Sequence, residues 1–154
     1  MKQNRKLIRE QLDIALKRFT PLRDVNAPPK GWIRAIRFAL GMSAKQLAQR
    51  LGVTQQAVSR IERDEQSGSA SIKTMRRIAD RLDCVFVYGF VPRTSLTDTV
   101  TRRARHVAKE RLERVGRTME LENQGLSSEE YKKVLADMVD EIVRTTPATL
   151  WGPR

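Results

Sequence analysis

Apolar residues recur at helical spacing through most of the chain. Ile8, Leu12, Ala15, Leu16 and Phe19 mark one face of an amphipathic helix over 3–19. The stretch TPLRDVNAPPKG then breaks the periodicity, because Pro21, Pro28, Pro29 and Gly31 make it a connector. Four helical patterns follow at 32–40, 43–51, 54–65 and 71–82, with very short joints. CVFVYGFVP differs from all of these. Its β-branched and aromatic residues, closed by Pro92, predict a strand over 85–91. Helical spacing resumes at Ser95 and runs to about Gln124, with Val100, Ala104, Val107, Ala108, Leu112, Val115 and Met119 along one side. Gly116 interrupts that helix and costs it about 1 kcal/mol relative to Ala, so a bend or break is expected there. A last helix opens on the capping-box pair Ser127 and Glu130 and carries Tyr131, Val134, Leu135, Met138 and Ile142.

The strongest local signal lies in WIRAIRFALGMSAKQLAQRLGVTQQAVSRIERDE. Ser43 is a good N-cap, and Gln46 three residues later completes a capping box. Leu47, Ala48 and Leu51 give that helix an apolar face, and Gly52 ends it. Thr54 caps the next helix two residues on, which forces a sharp turn between the pair. With Val58 and Ile61 facing inward, Gln55, Gln56, Ser59 and Arg60 remain on the outer side. An amide can bond two adjacent edge atoms of adenine, and Arg can do the same for guanine.

This stretch resembles the phage-repressor (Xre/Cro-type) helix-turn-helix family, from about Trp32 to Leu82. The resemblance implies that Thr54, Gln55, Gln56 and Arg60 occupy DNA-contacting positions. It also implies an Arg37–Glu62 ion pair tying the first helix to the second helix of the motif. One position departs from the family: Ala44 stands where a phosphate-contacting Gln is common. Ser43, Lys45 or Gln46 would have to make that contact instead. Lys73, Arg76 and Arg77, with Arg102, Arg103 and Arg105, are expected to add attraction to the phosphate backbone.

Charge adds to this picture. The chain of 154 residues carries 30 Lys and Arg against 18 Asp and Glu, a net charge of +12. Residues 1–117 hold 26 of the basic and 11 of the acidic side chains, whereas 118–154 hold 4 and 7. A basic body points to a polyanion, here double-stranded DNA, and the acidic end to a different partner or none. Glu129, Glu130, Asp137, Asp140 and Glu141 of the last helix read first as a solvated face.

Other chemistry finds little support. Cys84 is the single cysteine, so no intramolecular disulfide can form, and it reads as a small buried apolar residue. His106 is the single histidine and has no neighbour at metal-ligand spacing; a helix surface among arginines is expected for it. No metal, cofactor or enzymatic activity is expected, since no Gly-rich phosphate loop and no nucleophile with its base occurs. MKQNRKLIREQL lacks the apolar core of a signal peptide, and the longest apolar run is too short to span a bilayer. A soluble, cytoplasmic protein is expected.

A strand with both edges unpaired is not stable, so 85–91 needs a partner. Antiparallel pairing with its own copy would give a homodimer of the kind half-site readers form. Pairing with the 20–26 connector, or addition to a different protein, are the alternatives.

Taken together, the motifs resemble the family called mobile mystery protein A. They are PPKGWIRAIRFALGM, TQQAVSRIE, LDCVFVYGFVPRTSL, RRARHVAKERLERVGRTMELENQ and LWGP. Members are helix-turn-helix proteins encoded beside a Fic-domain protein, in an arrangement like an antitoxin and its toxin. The resemblance gives TMELEN a role. Many Fic AMP-transferases are restrained by a helix bearing Ser/Thr-x-x-x-Glu-Gly/Asn, whose glutamate pairs with the arginine that would hold the ATP γ-phosphate. Thr118, Glu122 and Asn123 match that pattern. A carboxylate near a helix C-terminus is locally unfavourable, which such a role would explain.

The expected fold is mainly α: a helix-turn-helix bundle with an N-terminal helix, one strand and two C-terminal helices. Its segments are 1–30, 31–92 and 93–154. The expected function is an antitoxin-like regulator that binds its operator and inhibits a Fic partner. A plain dimeric repressor is the alternative.

Overall fold

The computed structural model describes residues 2–120 and 127–152. The chain divides into two units, one of residues 24–89 and one of 1–23 with 90–154. Seven α-helices occur among the described residues: α1 (Lys2–Lys17), α2 (Trp32–Ala39), α3 (Ala44–Leu51), α4 (Gln55–Ser67), α5 (Ile72–Arg81), α6 (Leu96–Glu120) and α7 (Ser128–Thr145).

Residues 24–89 hold α2 to α5 around one core. Leu47, Val58 and Ile78 are fully enclosed, with Ile33, Ala48 and Leu82 beside them and Ile36, Leu51, Ile61 and Met75 packed against the cluster. Helices this short are marginal alone, so the shared core supplies their stability. The joints are equally specified. Gly52 ends α3 at φ 66°, a left-handed conformation that costs an L-residue with a Cβ roughly 1 kcal/mol or more. Val53 N–H then donates to Ala48 O at 3.0 Å, and Thr54 starts α4 at once. At the end of α5, Asp83 takes the left-handed position (φ 56°), and Cys84 N–H donates back to Ala79 O at 2.8 Å.

Residues 84–92 correct two expectations. The backbone is not helical, yet no strand forms among the described residues, because no neighbouring segment exchanges hydrogen bonds with it. The 20–26 connector does not fill that place; Thr20–Asp24 is a 3-10 turn. Cys84 is exposed rather than buried, since the turn at Asp83 carries the chain off the helical core.

In the other unit α6 packs against α7, and Ala104 and Ala108 are completely buried in that contact. Their small side chains allow close approach, and Val100, Val139, Ile142 and Leu150 fill the space around them. Val139 takes an inward position that the apolar pattern had given to Val134, which is exposed. Helix α6 continues through Gly116 to Glu120 without a break.

Helix α1 departs most from its expected face. Ile8 and Leu12 are 47% and 45% exposed, while Arg9 is only 7% exposed. Polar chemistry at two helix ends outweighs the apolar stripe. Arg9 donates to Thr146 Oγ1 at 3.2 Å and Val143 O at 3.4 Å, and Arg5 donates to Thr146 O at 2.8 Å. These cations meet the negative end of α7. At the other end of α1, Asp13 Oδ1 accepts from Leu96 N–H at 2.7 Å. Its Oδ2 accepts from Thr97 N–H at 3.1 Å and from the Thr97 hydroxyl at 2.7 Å. Asp13 thereby caps α6 from a different helix.

Partial burial raises the pKa of Asp13, but the hydrogen bonds from Thr97 and Leu96 and the charge of Arg9 outweigh it and hold the carboxyl below its ordinary value. A lowered folded pKa stabilises above the unfolded pKa and is lost as pH falls through the folded one. Asp13→Ala is therefore expected to cost about 1 kcal/mol at neutral pH. In urea titrations across pH, the difference from the parent should shrink below about pH 4.

Candidate nucleic-acid interface

Helices α3 and α4 present most of the polar residues singled out by the sequence. Ser43 Oγ accepts from Gln46 N–H at 3.2 Å, and Gln46 Oε1 accepts from Ser43 N–H at 2.8 Å. This capping box holds the first turn of α3 rigid and leaves the Gln46 amide donors and the Ser43 hydroxyl proton available. Lys45 lies exposed in the same turn. Ala44 packs against the core, which accounts for an apolar residue there.

Thr54 Oγ1 accepts from Ala57 N–H at 3.2 Å and fixes the start of α4. With Val58 fully buried, Gln55, Gln56, Ser59 and Arg60 are exposed together on the first two turns. Lys73 is exposed in the first turn of α5. Thr118 belongs to the backbone of α6, in the other unit. Glu122 and Asn123 lie outside the described residues.

Two carboxylates one turn apart on α4 anchor it to α2. Arg37 Nε donates to Glu62 Oε1 at 2.8 Å and its Nη2 to Glu62 Oε2 at 3.2 Å. Arg37 Nη1 also donates to Met42 O at 2.9 Å, so the guanidinium braces the α2–α3 joint as well. Glu65 completes the arrangement, and the sequence reading missed it. Trp32 and Ile33 N–H donate to its Oε1 and Oε2 at 2.8 and 3.0 Å. Helix α2 has no N-cap side chain of its own, since Gly31 stands there, and Glu65 supplies the cap.

Residues 33–86 match the family model described as Helix-turn-helix. This stretch is a helix-turn-helix domain of the Xre type. No curated protein and no solved structure matched the chain. Helix-turn-helix domains of this family belong to DNA-binding regulators, and α3 and α4 form the helix pair of the motif here. No described helix is long and apolar enough to cross a membrane.

Gly31 matters to the domain for two reasons. Its φ of 80° and ψ of 162° lie in a region that is essentially restricted to glycine. A Cβ there would also stand 2.6 Å from Oε2 of Glu65, whose carboxylate is held by two hydrogen bonds, one to each oxygen. Gly31→Ala is expected to destabilise the domain by about 2 kcal/mol in chemical denaturation.

Proposed function

We propose that the chain is a cytoplasmic, operator-binding regulator that acts as a homodimer, with α4 entering the major groove. Gln55, Gln56 and Arg60 read base edges, and Ser59 adds a shorter polar contact. Thr54, Ser43, Lys45, Gln46 and Lys73 hold the phosphate backbone on either side. The supporting observation is the outer face of α4: four polar side chains exposed together on its first two turns, next to a capped α3. Footprinting on DNA upstream of the protein's own gene tests this. A protected site with two-fold related halves is expected, and binding that ignores sequence would sink the reading.

A further role rests on Thr118 in α6 and the matching Glu122 and Asn123. In this reading the chain restrains a Fic-domain AMP-transferase as an antitoxin does. Glu122 pairs with the enzyme's phosphate-binding arginine. Four residues apart, Thr118 and Glu122 would share one side of any helix that held both. AMP transfer by the Fic-domain protein encoded alongside should fall when this chain is added and recover with Glu122→Gly. If neither form restrains the enzyme, the plain repressor reading stands alone.

A further inference from the structure

The run from Val85 to Val91 leaves its backbone amides without hydrogen bonds to other described residues. Its apolar side chains are correspondingly open: Val85, Val87 and Phe90 are 87%, 69% and 81% exposed. Phe86 is partly covered and lines an apolar groove of about 240 Å³ with Trp32, Ile36, Met75 and Ala79. Its ring stacks on Tyr88 with centroids 6.2 Å apart, and Arg76 lies 5.6 Å over the Tyr88 ring. Nonpolar surface and unpaired backbone therefore coincide on one short segment.

We propose that this segment pairs antiparallel with itself in a second copy, with Tyr88 on the two-fold axis. The inference deepens the homodimer reading above by fixing its interface and register. Directly opposed residues on an antiparallel ladder share a face, so a two-fold axis must pass through a residue pair. Centring on Tyr88 opposes Val85 to Val91, Phe86 to Phe90 and Val87 to Gly89, and brings Asp83 alongside Arg93. Neither of those two charges has an ion-pair partner among the described residues. Centring on Val87 would set Asp83 against Val91, and centring on Gly89 would set Arg93 against Val85. Only the Tyr88 register matches the charges.

Backbone donors are compatible with this register. Tyr88 at the centre opposes Cys84 to Pro92. Proline has no N–H, and the Cys84 N–H is already bonded to Ala79 O at 2.8 Å. That pair must be a non-hydrogen-bonded one. Alternation then assigns the hydrogen-bonded pairs to Val85, Val87, Gly89 and Val91, whose amides, like the others of this run, make no hydrogen bond to another described residue. Phe86 and Phe90 fall in a non-hydrogen-bonded pair, where side chains approach most closely. The second copy's exposed Phe90 thereby reaches the groove lined by Phe86. A cavity of about 150 Å³ suffices for benzene, so the groove has room for a phenyl ring.

Sedimentation equilibrium and cysteine crosslinking of the full chain test the register. Arg93→Asp places like charges together twice per dimer and should raise the dissociation constant roughly tenfold. Adding Asp83→Arg should restore it to within about threefold, circular dichroism confirming the fold of each variant. In a Cys84→Ser background, Tyr88→Cys should crosslink to its own copy under a mild thiol oxidant, two thiols giving up their hydrogens to it. The opposed Cα atoms would lie about 4.5 Å apart, within disulfide reach. Phe86→Cys or Phe90→Cys alone should not crosslink. A dimer indifferent to Arg93→Asp, without rescue or Tyr88→Cys crosslinking, overturns this register and leaves dimeric operator binding intact. A chain that stays monomeric, even on DNA, overturns both.

Discussion

Glu62→Ala is expected to destabilise the helix-turn-helix domain by about 3–5 kcal/mol, the usual consequence of leaving one partner of a buried ion pair alone. The pair is well enclosed, with the side chains of Arg37 and Glu62 only 12% and 8% exposed. Removing the carboxylate strands a guanidinium that water reaches poorly. For a domain of this size each kcal/mol moves the midpoint by about 4–8 °C, so a fall of at least 12 °C should appear in thermal melts. The double variant Arg37→Met, Glu62→Leu removes both charges together and should recover most of that loss. Recovery will be incomplete, because Met42 O also loses the Arg37 donor. A midpoint shift of less than about 3 °C for Glu62→Ala would mean that the pair contributes little. The same bond has a functional side. It holds the middle of α4 against α2, so a loosened pair also blurs the position of the exposed side chains on the first two turns.

The helices were legible because their signals are local. Ser43, Thr54 and Ser127 cap where their side-chain chemistry says they should, and the capping boxes of α3 and α7 form as expected. Val58 and Ile61 face inward and leave the polar face of α4 outward. What was not legible involves partners distant in sequence. Asp13 caps a helix that begins more than eighty residues later, and no spacing rule reports such a contact. The same contacts turned α1 so that Arg9 is buried and Ile8 is half exposed. Glu65 is instructive in another way. An acid in the last turns of α4 opposes the helix dipole, the same local conflict that singled out Glu122. Applied to α4, that criterion flags Glu65, whose partner is the N-terminus of α2. A misplaced acid therefore marks a partner, and the partner can be a neighbouring helix of the same unit. The strand shows the opposite failure. Residue preferences at 85–91 are those of a strand, but ladder formation requires a second segment, and none of the described residues provides one.

The sharpest functional prediction concerns Gln56. Replacing it with Ala removes an amide exposed on the first turn of α4 and touches no described hydrogen bond, so folding should be unchanged. A bidentate amide–adenine contact discriminates by about 1–3 kcal/mol, and a dimer makes it twice. Operator affinity should therefore fall between about 30-fold and 10⁴-fold, with binding to unrelated DNA unaffected. Lys45→Ala provides the contrast, because a lost phosphate contact weakens every sequence alike. The slope of log affinity against log salt should then drop by roughly one for each half-site. Gel-shift titrations at several salt concentrations, on operator and on unrelated DNA, distinguish the two effects. If Gln56→Ala weakened both DNAs equally, its side chain would be a backbone anchor, and base reading would pass to Gln55 and Arg60. If it weakened neither, α4 would not be the helix in the groove. The domain would then have to reach DNA through a different face.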